Sequence, residues 1–172
     1  MAVTIKSQHE IELMREAGNI LATVHDELAG LVKPGVSTME LNNYADKRIR
    51  EFGCIPSFLD YNGYPASLCV SVNDEVVHGI PNKKRKLREG DIVSLDCGVI
   101  YKGYQSDSAR TYPVGEVSAE SQRLIDVTKQ SFFEGIKFAK AGNHLYDISK
   151  AIQKYVESNG FSVVRDLVGH GI

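Results

Sequence analysis

The sequence IVSLDCGVIYKGYQSDSARTY, residues 92–112, decides the fold because its pattern is that of two strands joined by a tight turn. Apolar and polar residues alternate from Ile92 to Tyr101, which is the period of a β-strand with one buried face. Lys102-Gly103 supplies the two residues of a hairpin turn, and residues 104–112 are predicted to form the returning strand. An antiparallel hairpin is therefore the first element that the sequence predicts.

A two-residue turn fixes the register of this hairpin, and that register brings two aspartates onto one face. Asp96 lies opposite Ala109 and Asp107 lies opposite Gly98, so the carboxylates are diagonal neighbours within roughly 7–8 Å. Cys97 points to the other face, which disfavours a nucleophilic thiol. Carboxylates this close repel unless they are protonated or bridged by cations, as in a site with two metal ions. The alternative is a half-exposed hairpin whose outer face simply carries polar residues.

Helical patterns flank the hairpin on both sides. Ser7 and Ser37 each precede an apolar periodic stretch and are followed three residues later by glutamate, which is the pattern of a capping box. The first helix is predicted to end before Lys33-Pro-Gly and the second at Gly53. Residues 68–72 and 75–78 predict short strands. A long helix is predicted over 119–140, with a buried stripe of Leu124, Val127, Phe132, Ile136 and Ala139.

The helical part of the sequence occurs twice. Lys33 and Gly35 recur as Lys140 and Gly142, 107 positions later, and Gly53 recurs at the same offset as Gly160. Chance similarity between two amphipathic helix pairs is the simpler explanation, but the matching breaks at both ends favour a duplication. We expect a single α+β domain whose first repeat unit covers about 1–115. Residues 116–172 begin a second unit, and its own hairpin is expected after Ile172.

Composition limits the kinds of protein that this chain can be. The 172 residues are 42% apolar and 24% charged, with a net charge of −2, which gives no overall attraction to DNA or to an anionic membrane. No apolar stretch is long enough to span a bilayer, and the first residues do not resemble a secretion signal. Three cysteines without Cys-x-x-Cys spacing disfavour a disulfide scaffold or structural zinc. We therefore expect a soluble, cytoplasmic protein.

Two of the five histidines lie in sequence that favours a functional role. His78 and His170 each follow apolar residues and precede glycine, which allows close approach of a ligand or a metal. A buried structural histidine is the alternative for either. His9, His25 and His144 carry no such pattern and are expected to have no special role. Imidazole combined with carboxylate suits manganese, iron, cobalt or zinc better than calcium.

Two further stretches are less specific. Tyr61 and Tyr64 surround a glycine turn and line an apolar pocket or, alternatively, cover a sheet edge. Residues 83–88 (KKRKLR) form a basic run that suits RNA phosphates. A solvated loop is the simpler interpretation of this run, because the net charge is negative and Glu89 and Asp91 follow at once.

Taken together, five ordered motifs resemble the bacterial, type I methionine aminopeptidase family. They are NGYP (62–65), SVNDEVVHGIP (71–81), GDIVSLD (90–96), SDSART (106–111) and VGHGI (168–172), and the similarity runs from about Ile5 to the last residue. The resemblance implies the pseudo-symmetric "pita-bread" fold, a curved and mainly antiparallel sheet covered by helices. It also implies two divalent ions, cobalt, manganese, iron or zinc, and hydrolytic removal of the initiator methionine.

Residue by residue, the resemblance assigns roles to eight positions. Asp96, Asp107 and His170 match metal ligands, and His78 matches a catalytic histidine that contacts the scissile amide of the substrate. Positions lining the methionine pocket are matched by Tyr61, Tyr64, Cys69 and Phe58. Many bacterial relatives have cysteine where Phe58 stands, so we expect a narrowed or reshaped pocket.

The resemblance also implies groups that this sequence does not contain. The family adds a second histidine and two glutamates, one of them the general base, so three of five expected metal ligands are present. We therefore expect a truncated enzyme, with little activity from these 172 residues alone. Its partners would be the N-termini of nascent polypeptides and, transiently, the ribosome. A complete chain is expected to be monomeric, and a truncated one to associate or swap strands. The alternatives are a pita-bread binding protein with a disabled metal site, and a related amidohydrolase or X-Pro peptidase.

Overall fold

The computed structural model of the protein describes residues 4–167 and 169–171. The chain divides into two compact units, one reaching to Val117 and the other spanning Ser118–Gly171. In the described part of the chain, no helix combines the length and the apolar character needed to cross a lipid bilayer.

The first unit is a four-stranded antiparallel sheet with two helices. Its elements are α1 (Gln8–Ala29), α2 (Thr38–Glu51), β1 (Ile55–Pro56), a 3-10 turn (Tyr61–Gly63), β2 (Leu68–Val72), β3 (Ile92–Tyr101) and β4 (Tyr104–Pro113). Strand β3 is central, with β4 along one edge and β2 and β1 in succession along the other. Among the site candidates, Cys69, Asp96 and Asp107 lie on its strands. The segments between strands carry Phe58, Tyr61, Tyr64 and His78, and His170 lies in the second unit.

The predicted register of the β3–β4 hairpin is confirmed. Asp96 pairs with Ala109 and Gly98 pairs with Asp107. The turn residues Lys102 and Gly103 have φ angles of 49° and 85°, the left-handed backbone that a tight hairpin turn of matching twist requires.

Both predicted capping boxes of the first unit are present, and they explain where its helices begin. The Ser7 side chain accepts from the backbone N–H of Glu10, and Glu10 accepts from the Ser7 N–H at 2.6 Å. Ser37 and Glu40 repeat this arrangement at the start of α2, with the Ser37 N–H donating at 2.8 Å. Helix α2 ends before Gly53, whose φ of 70° favours glycine.

The core lies between one face of the sheet and the two helices. Val93, Leu95, Cys97 and Val99 are fully buried on that face of β3. Against them pack apolar residues of α1 and α2, including Leu21, Val24, Leu28, Leu41, Ala45 and Ile49. Because successive strand residues alternate in direction, Asp96 and Asp107 lie on the opposite face, away from this core.

Residues 75–78 do not form the predicted strand. Asn73 turns the chain with a φ of 58°, and the Glu75 carboxylate then accepts from the Val72 N–H at 2.7 Å. The turn carries Val76 and Val77 away from the sheet, and they are 60% and 44% exposed. Apolar residues alone could not distinguish this loop from a strand.

The second unit contains α3 (Ala119–Ile136) and α4 (Leu145–Ser158). Helix α3 ends four residues before the predicted Lys140, because the chain tightens after Ile136 into bonds such as Phe138 N–H to Gly135 C=O. The predicted buried stripe is only partly correct. Val127 is buried and Leu124 half-buried, whereas Phe132 and Ile136 are 56% and 50% exposed and Ala139 is exposed beyond the helix.

Candidate functional site: a carboxylate pair on the polar face of the sheet

The polar face of the sheet consists of rows of residues that lie side by side across the strands. One row places Cys69 of β2 beside Asp96 of β3 and Ala109 of β4. In the next row, Asp107 stands beside Gly98. The hairpin therefore brings the two predicted carboxylates together as diagonal neighbours on one face, with glycine between them.

Gly98 is needed because other side chains already occupy the space above it. A Cβ atom at position 98 would lie 2.9 Å from the Ser57 Cβ and 2.9 Å from the Phe58 Cε1. The Ser57 N–H donates to the Gly98 carbonyl at 3.0 Å, which fixes this segment against the strand. Phe58 thus forms a wall of the space beside Asp107.

The Ser57 hydroxyl is a site feature that sequence reasoning missed. Its oxygen is buried and has no hydrogen-bond partner among the described residues. A buried polar atom without a partner is costly unless another group or a ligand supplies one. Ser57 belongs to no recognisable sequence motif. The one feature of the sequence that relates to it is the glycine at position 98, which leaves room for its side chain.

Electrostatics around Cys69 show that both carboxylates act on the same small region. Burial raises the pKa of the Cys69 thiol to about 11, and the charges of Asp96 and Asp107 contribute, against an opposing hydrogen bond from Tyr64. Burial also raises the pKa of Tyr64. Both groups therefore stay neutral at physiological pH, which suits the wall of an apolar pocket rather than a nucleophile.

Tyr64 connects the pocket wall to the loop that carries His78. Its hydroxyl donates to the Gly79 carbonyl at 2.9 Å, and that carbonyl also accepts from the Val70 N–H at 2.9 Å. A Cβ at position 79 would lie 2.2 Å from the Val70 carbonyl oxygen, so only glycine permits this approach. His78 itself is exposed, with a left-handed φ of 58°. The two bonds to the Gly79 carbonyl, and one from the Gly79 N–H to the Ser71 hydroxyl at 3.1 Å, hold this strained backbone.

The two remaining candidates, Tyr61 and His170, are both exposed. Tyr61 begins the 3-10 turn and is 68% exposed. His170 lies in the second unit, exposed, with its Nδ1 3.1 Å from the Gly171 carbonyl oxygen. Across residues 4–167 and 169–171 there is no group of three or more His, Cys, Asp or Glu placed to hold an ion.

His25 is buried, although its sequence context indicated no special role. Its Nε2 lies 3.0 Å from the carbonyl oxygen of Ser108, the residue that follows Asp107 in β4. Burial is the largest of the effects that lower the pKa of His25. The ring therefore joins α1 to the strand that carries one of the two carboxylates.

Comparison with known proteins identifies relatives over nearly the whole chain. The model of metallopeptidase family M24 matches residues 12–172. A methionine aminopeptidase of Clostridium acetobutylicum is 54% identical over 170 residues, which are 99% of this chain and 68% of that protein.

Solved structures give the same result for the fold. Methionine aminopeptidase from Rickettsia prowazekii superposes with a TM-score of 0.97 at 42% identity, covering 99% of this chain and 68% of that one. An Xaa-Pro dipeptidase from Bacillus anthracis follows with a TM-score of 0.79 at 28% identity, covering 91% and 42%. The expected α+β pita-bread fold is therefore confirmed.

Proposed function

Because the chain belongs to metallopeptidase family M24, we propose that it provides the site for removing the initiator methionine from new proteins by hydrolysis. The observation that carries this proposal is the carboxylate pair Asp96 and Asp107 on the polar face, with Gly98 between them. The 54% identity to a protein named methionine aminopeptidase favours methionine as the residue released.

The polar face fits a divalent metal ion in its donor chemistry. Asp96 and Asp107 offer carboxylate oxygens, and the Ser57 hydroxyl is a buried polar atom beside Gly98 without a partner among the described residues. We propose that Asp96 and Asp107 hold the metal, with His170 as a further ligand. Cobalt, manganese, iron and zinc all suit such a ligand set, and two ions are expected. A metal held there would supply Lewis acidity, which would lower the pKa of a water molecule and make it a nucleophile for amide hydrolysis.

The chain's own residues bind the substrate and direct a proton. We propose that Phe58, Tyr64 and Cys69 receive the methionine side chain, with Tyr61 at the exposed margin of the pocket. His78 orients or protonates the scissile amide nitrogen, which departs as the new amine when the C–N bond breaks. The bonds that hold Gly79 fix the backbone from which His78 acts.

Release of methionine from a Met-Gly peptide tests the proposed function, with protein expressed from its full reading frame. Removing a group that only hydrogen-bonds to a metal ligand typically costs roughly 10- to 100-fold in metal affinity or activity. Asp107→Asn changes a proposed ligand itself, so it is expected to reduce metal-dependent release of methionine by more than that. Asp126→Asn, on the exposed surface of α3, is the matched control and is expected to retain activity. Release that Asp107→Asn leaves unchanged would contradict the assignment.

Substrate choice separates this function from its two alternatives. An X-Pro peptidase cleaves X-Pro peptides in preference to Met-Gly, and a binding protein with a disabled site cleaves neither. The 172 residues alone are expected to bind metal weakly and release little methionine, because they contain three of the five ligands that the family resemblance implies. Calorimetry with Mn²⁺ checks that expectation, and tight binding of two ions by these residues would overturn it.

The same proposal extends to where the protein acts. Its substrates are N-termini of nascent polypeptides, so it acts in the cytoplasm and contacts the ribosome transiently. We propose that it acts as a monomer, without DNA or a membrane as partner. Association through strand exchange is expected only for a form that lacks part of the fold.

A further inference from the structure

Strand β4, which carries Asp107, is attached to helix α1 by polar contacts at alternate residues. The Tyr104 hydroxyl donates to the Glu10 carboxylate at 3.0 Å, and the Arg110 guanidinium forms an ion pair with Asp26 at an N–O distance of 2.7 Å. Alternate residues of a strand lie on one face of a sheet. Asp107 has the opposite parity, so the contacts with α1 hold its strand from the far side and leave the carboxylate on the polar face.

His25 of α1 bonds to the residue that directly follows Asp107. The ring is fully buried, and its Nε2 lies 3.0 Å from the Ser108 carbonyl oxygen. A carbonyl oxygen can only accept a hydrogen bond, so Nε2 carries the hydrogen and donates it. The Tyr112 hydroxyl donates to the backbone carbonyl of His25 at 3.2 Å. Both the side chain and the backbone of this one helix residue are thus bonded to β4.

Burial alone does not account for an imidazole at position 25. Its neighbours on the buried face of α1 are aliphatic and at most 2% exposed, namely Leu21, Val24 and Leu28. A polar ring loses its hydrogen bonds to water when it is buried, a cost that an aliphatic side chain of similar volume does not have. What the imidazole adds at this position is therefore a directional bond to the backbone of β4.

Helix α1 contacts β4 on both sides of Asp107. The Ser108 carbonyl is bonded to His25, and at the preceding strand residue a Cβ atom placed on Gly18 would lie 3.7 Å from the Ser106 Oγ, within van der Waals contact. The backbone from which Asp107 extends is thus held at both neighbours. We propose that His25 is a positioning residue that, through the Ser108 carbonyl, keeps the Asp107 carboxylate in place for a divalent metal. This step rests on the proposed function, which assigns Asp107 to the metal.

Binding of Mn²⁺ measured by calorimetry tests the proposal, with protein expressed from its full reading frame. His25→Leu removes the donor while filling a similar volume. It is expected to weaken Mn²⁺ binding by roughly 10-fold, the lower end of the range for losing a group that orients a metal ligand. At saturating Mn²⁺, kcat on a Met-Gly peptide is expected to fall while KM changes little, because the proposed pocket residues are unaltered. An unchanged Mn²⁺ affinity would overturn the proposal.

The variant His25→Gln separates the hydrogen bond from the filling of space. Its side-chain amide N–H extends about as far from the backbone as the imidazole Nε2, so this variant is expected to bind Mn²⁺ much as the unsubstituted protein does. Equal losses in His25→Leu and His25→Gln would show that the shape of the ring matters rather than its donor, and the proposal would fail. If far-ultraviolet circular dichroism shows that His25→Leu does not fold, His25→Met replaces it as the variant without a donor.

A matched control removes another bond between α1 and β4. Tyr104→Phe deletes the hydroxyl that donates to Glu10 and leaves the bond from His25 to Ser108 in place. This control is expected to keep the Mn²⁺ affinity and the kcat of the unsubstituted protein. An equal loss in Tyr104→Phe would mean that general attachment of the helix governs the site, and the assignment to His25 would be rejected.

Metal affinity and methionine release together separate a failure of this proposal from a failure of the proposed function. Weaker Mn²⁺ binding by His25→Leu, with no methionine release by any form of the protein, supports the positioning role and contradicts the proposed function. Methionine release and Mn²⁺ affinity that are the same in His25→Leu and in the unsubstituted protein contradict the positioning role and leave the proposed function intact.

Discussion

The two helix pairs of this protein have matching boundaries but differ in what they bury. Helices α2 and α4 each contain 14 residues and begin 107 positions apart, at Thr38 and Leu145. The glycines that precede them, Gly35 and Gly142, both have a φ of 90°. Helices α1 and α3 also end at the same offset, at Ala29 and Ile136.

The two helix pairs differ in how far their apolar residues are buried. In α2, Leu41, Ala45 and Ile49 are all fully buried against the first unit's core. In α4, Val156 is the buried residue, while Leu145 and Tyr146 are 77% and 81% exposed. Local sequence therefore sets where a helix begins and ends, whereas burial depends on whether a sheet packs against it. The described residues of the second unit include no strand.

Truncating one core residue at equivalent positions gives the largest expected contrast. Leu41→Ala is expected to lower the free energy of unfolding by roughly 2–5 kcal/mol, because it leaves a cavity in a closed core. Its counterpart Ile148 is only half-buried, so Ile148→Ala is expected to cost less than about 1.5 kcal/mol. Urea denaturation followed by far-ultraviolet circular dichroism measures both. Equal costs would show that the two helices are equally well packed, which would break the comparison.

Helix capping offers a second contrast, of smaller size. Ser37 is buried and caps α2, so Ser37→Ala is expected to cost about 1 kcal/mol. The equivalent residue of α4 is His144, whose side chain is 91% exposed, while its backbone N–H donates to Asp147 at 2.8 Å. His144→Ala keeps that backbone bond and is expected to cost less than about 0.5 kcal/mol.

Amide hydrogen exchange in the first turn of each helix measures these two effects separately. Faster exchange is expected at the start of α2 in Ser37→Ala and little change at the start of α4 in His144→Ala. Faster exchange in α4 of equal size would mean that the His144 side chain caps its helix as Ser37 does.

Much of the fold follows from signals that act over a few residues. Serine and glutamate three positions apart determined where α1 and α2 begin, and Lys102-Gly103 determined the hairpin register. That register in turn placed Asp96 and Asp107 on one face, so the carboxylate pair was predictable from the sequence. Each of these features depends on backbone geometry and a small number of adjacent side chains.

The features that sequence did not predict depend on distant parts of the chain. Ser57 reaches the polar face only because its segment bonds to Gly98, far along the sequence. Val76 and Val77 are typical of a strand, but Gly79, and not residues 75–78, bonds to Val70. His25 has the local pattern of an ordinary helix residue, and it is buried because the hairpin packs against α1. Such contacts leave no local pattern in the sequence.

The smallest expected effect concerns pH, and it distinguishes α1 from α3 at another equivalent pair of positions. His25 is fully buried in α1, whereas its counterpart in α3 is Phe132, which is 56% exposed. The pKa of His25 is lowered chiefly by burial, with Arg110 contributing and the Ser108 carbonyl, Asp26 and Asp107 opposing. The folded protein therefore holds His25 neutral at a pH where an unfolded chain would bind a proton.

A lowered histidine pKa makes the unfolded state bind more protons once the pH falls below about 6.5, so stability decreases with falling pH in that range. The pKa values of some carboxyl groups, such as Glu27 and Asp46, are also lowered. These groups change the free energy of unfolding only at lower pH, around and below the ordinary pKa of a carboxyl group. Between about pH 7 and about pH 5, the free energy of unfolding is therefore expected to decline in the unsubstituted protein and to decline less in His25→Gln. His9→Gln, on the exposed surface of α1, is the control and keeps the full decline. An identical decline in His25→Gln would show that burial of this ring does not couple folding to protonation, because glutamine cannot titrate in its place.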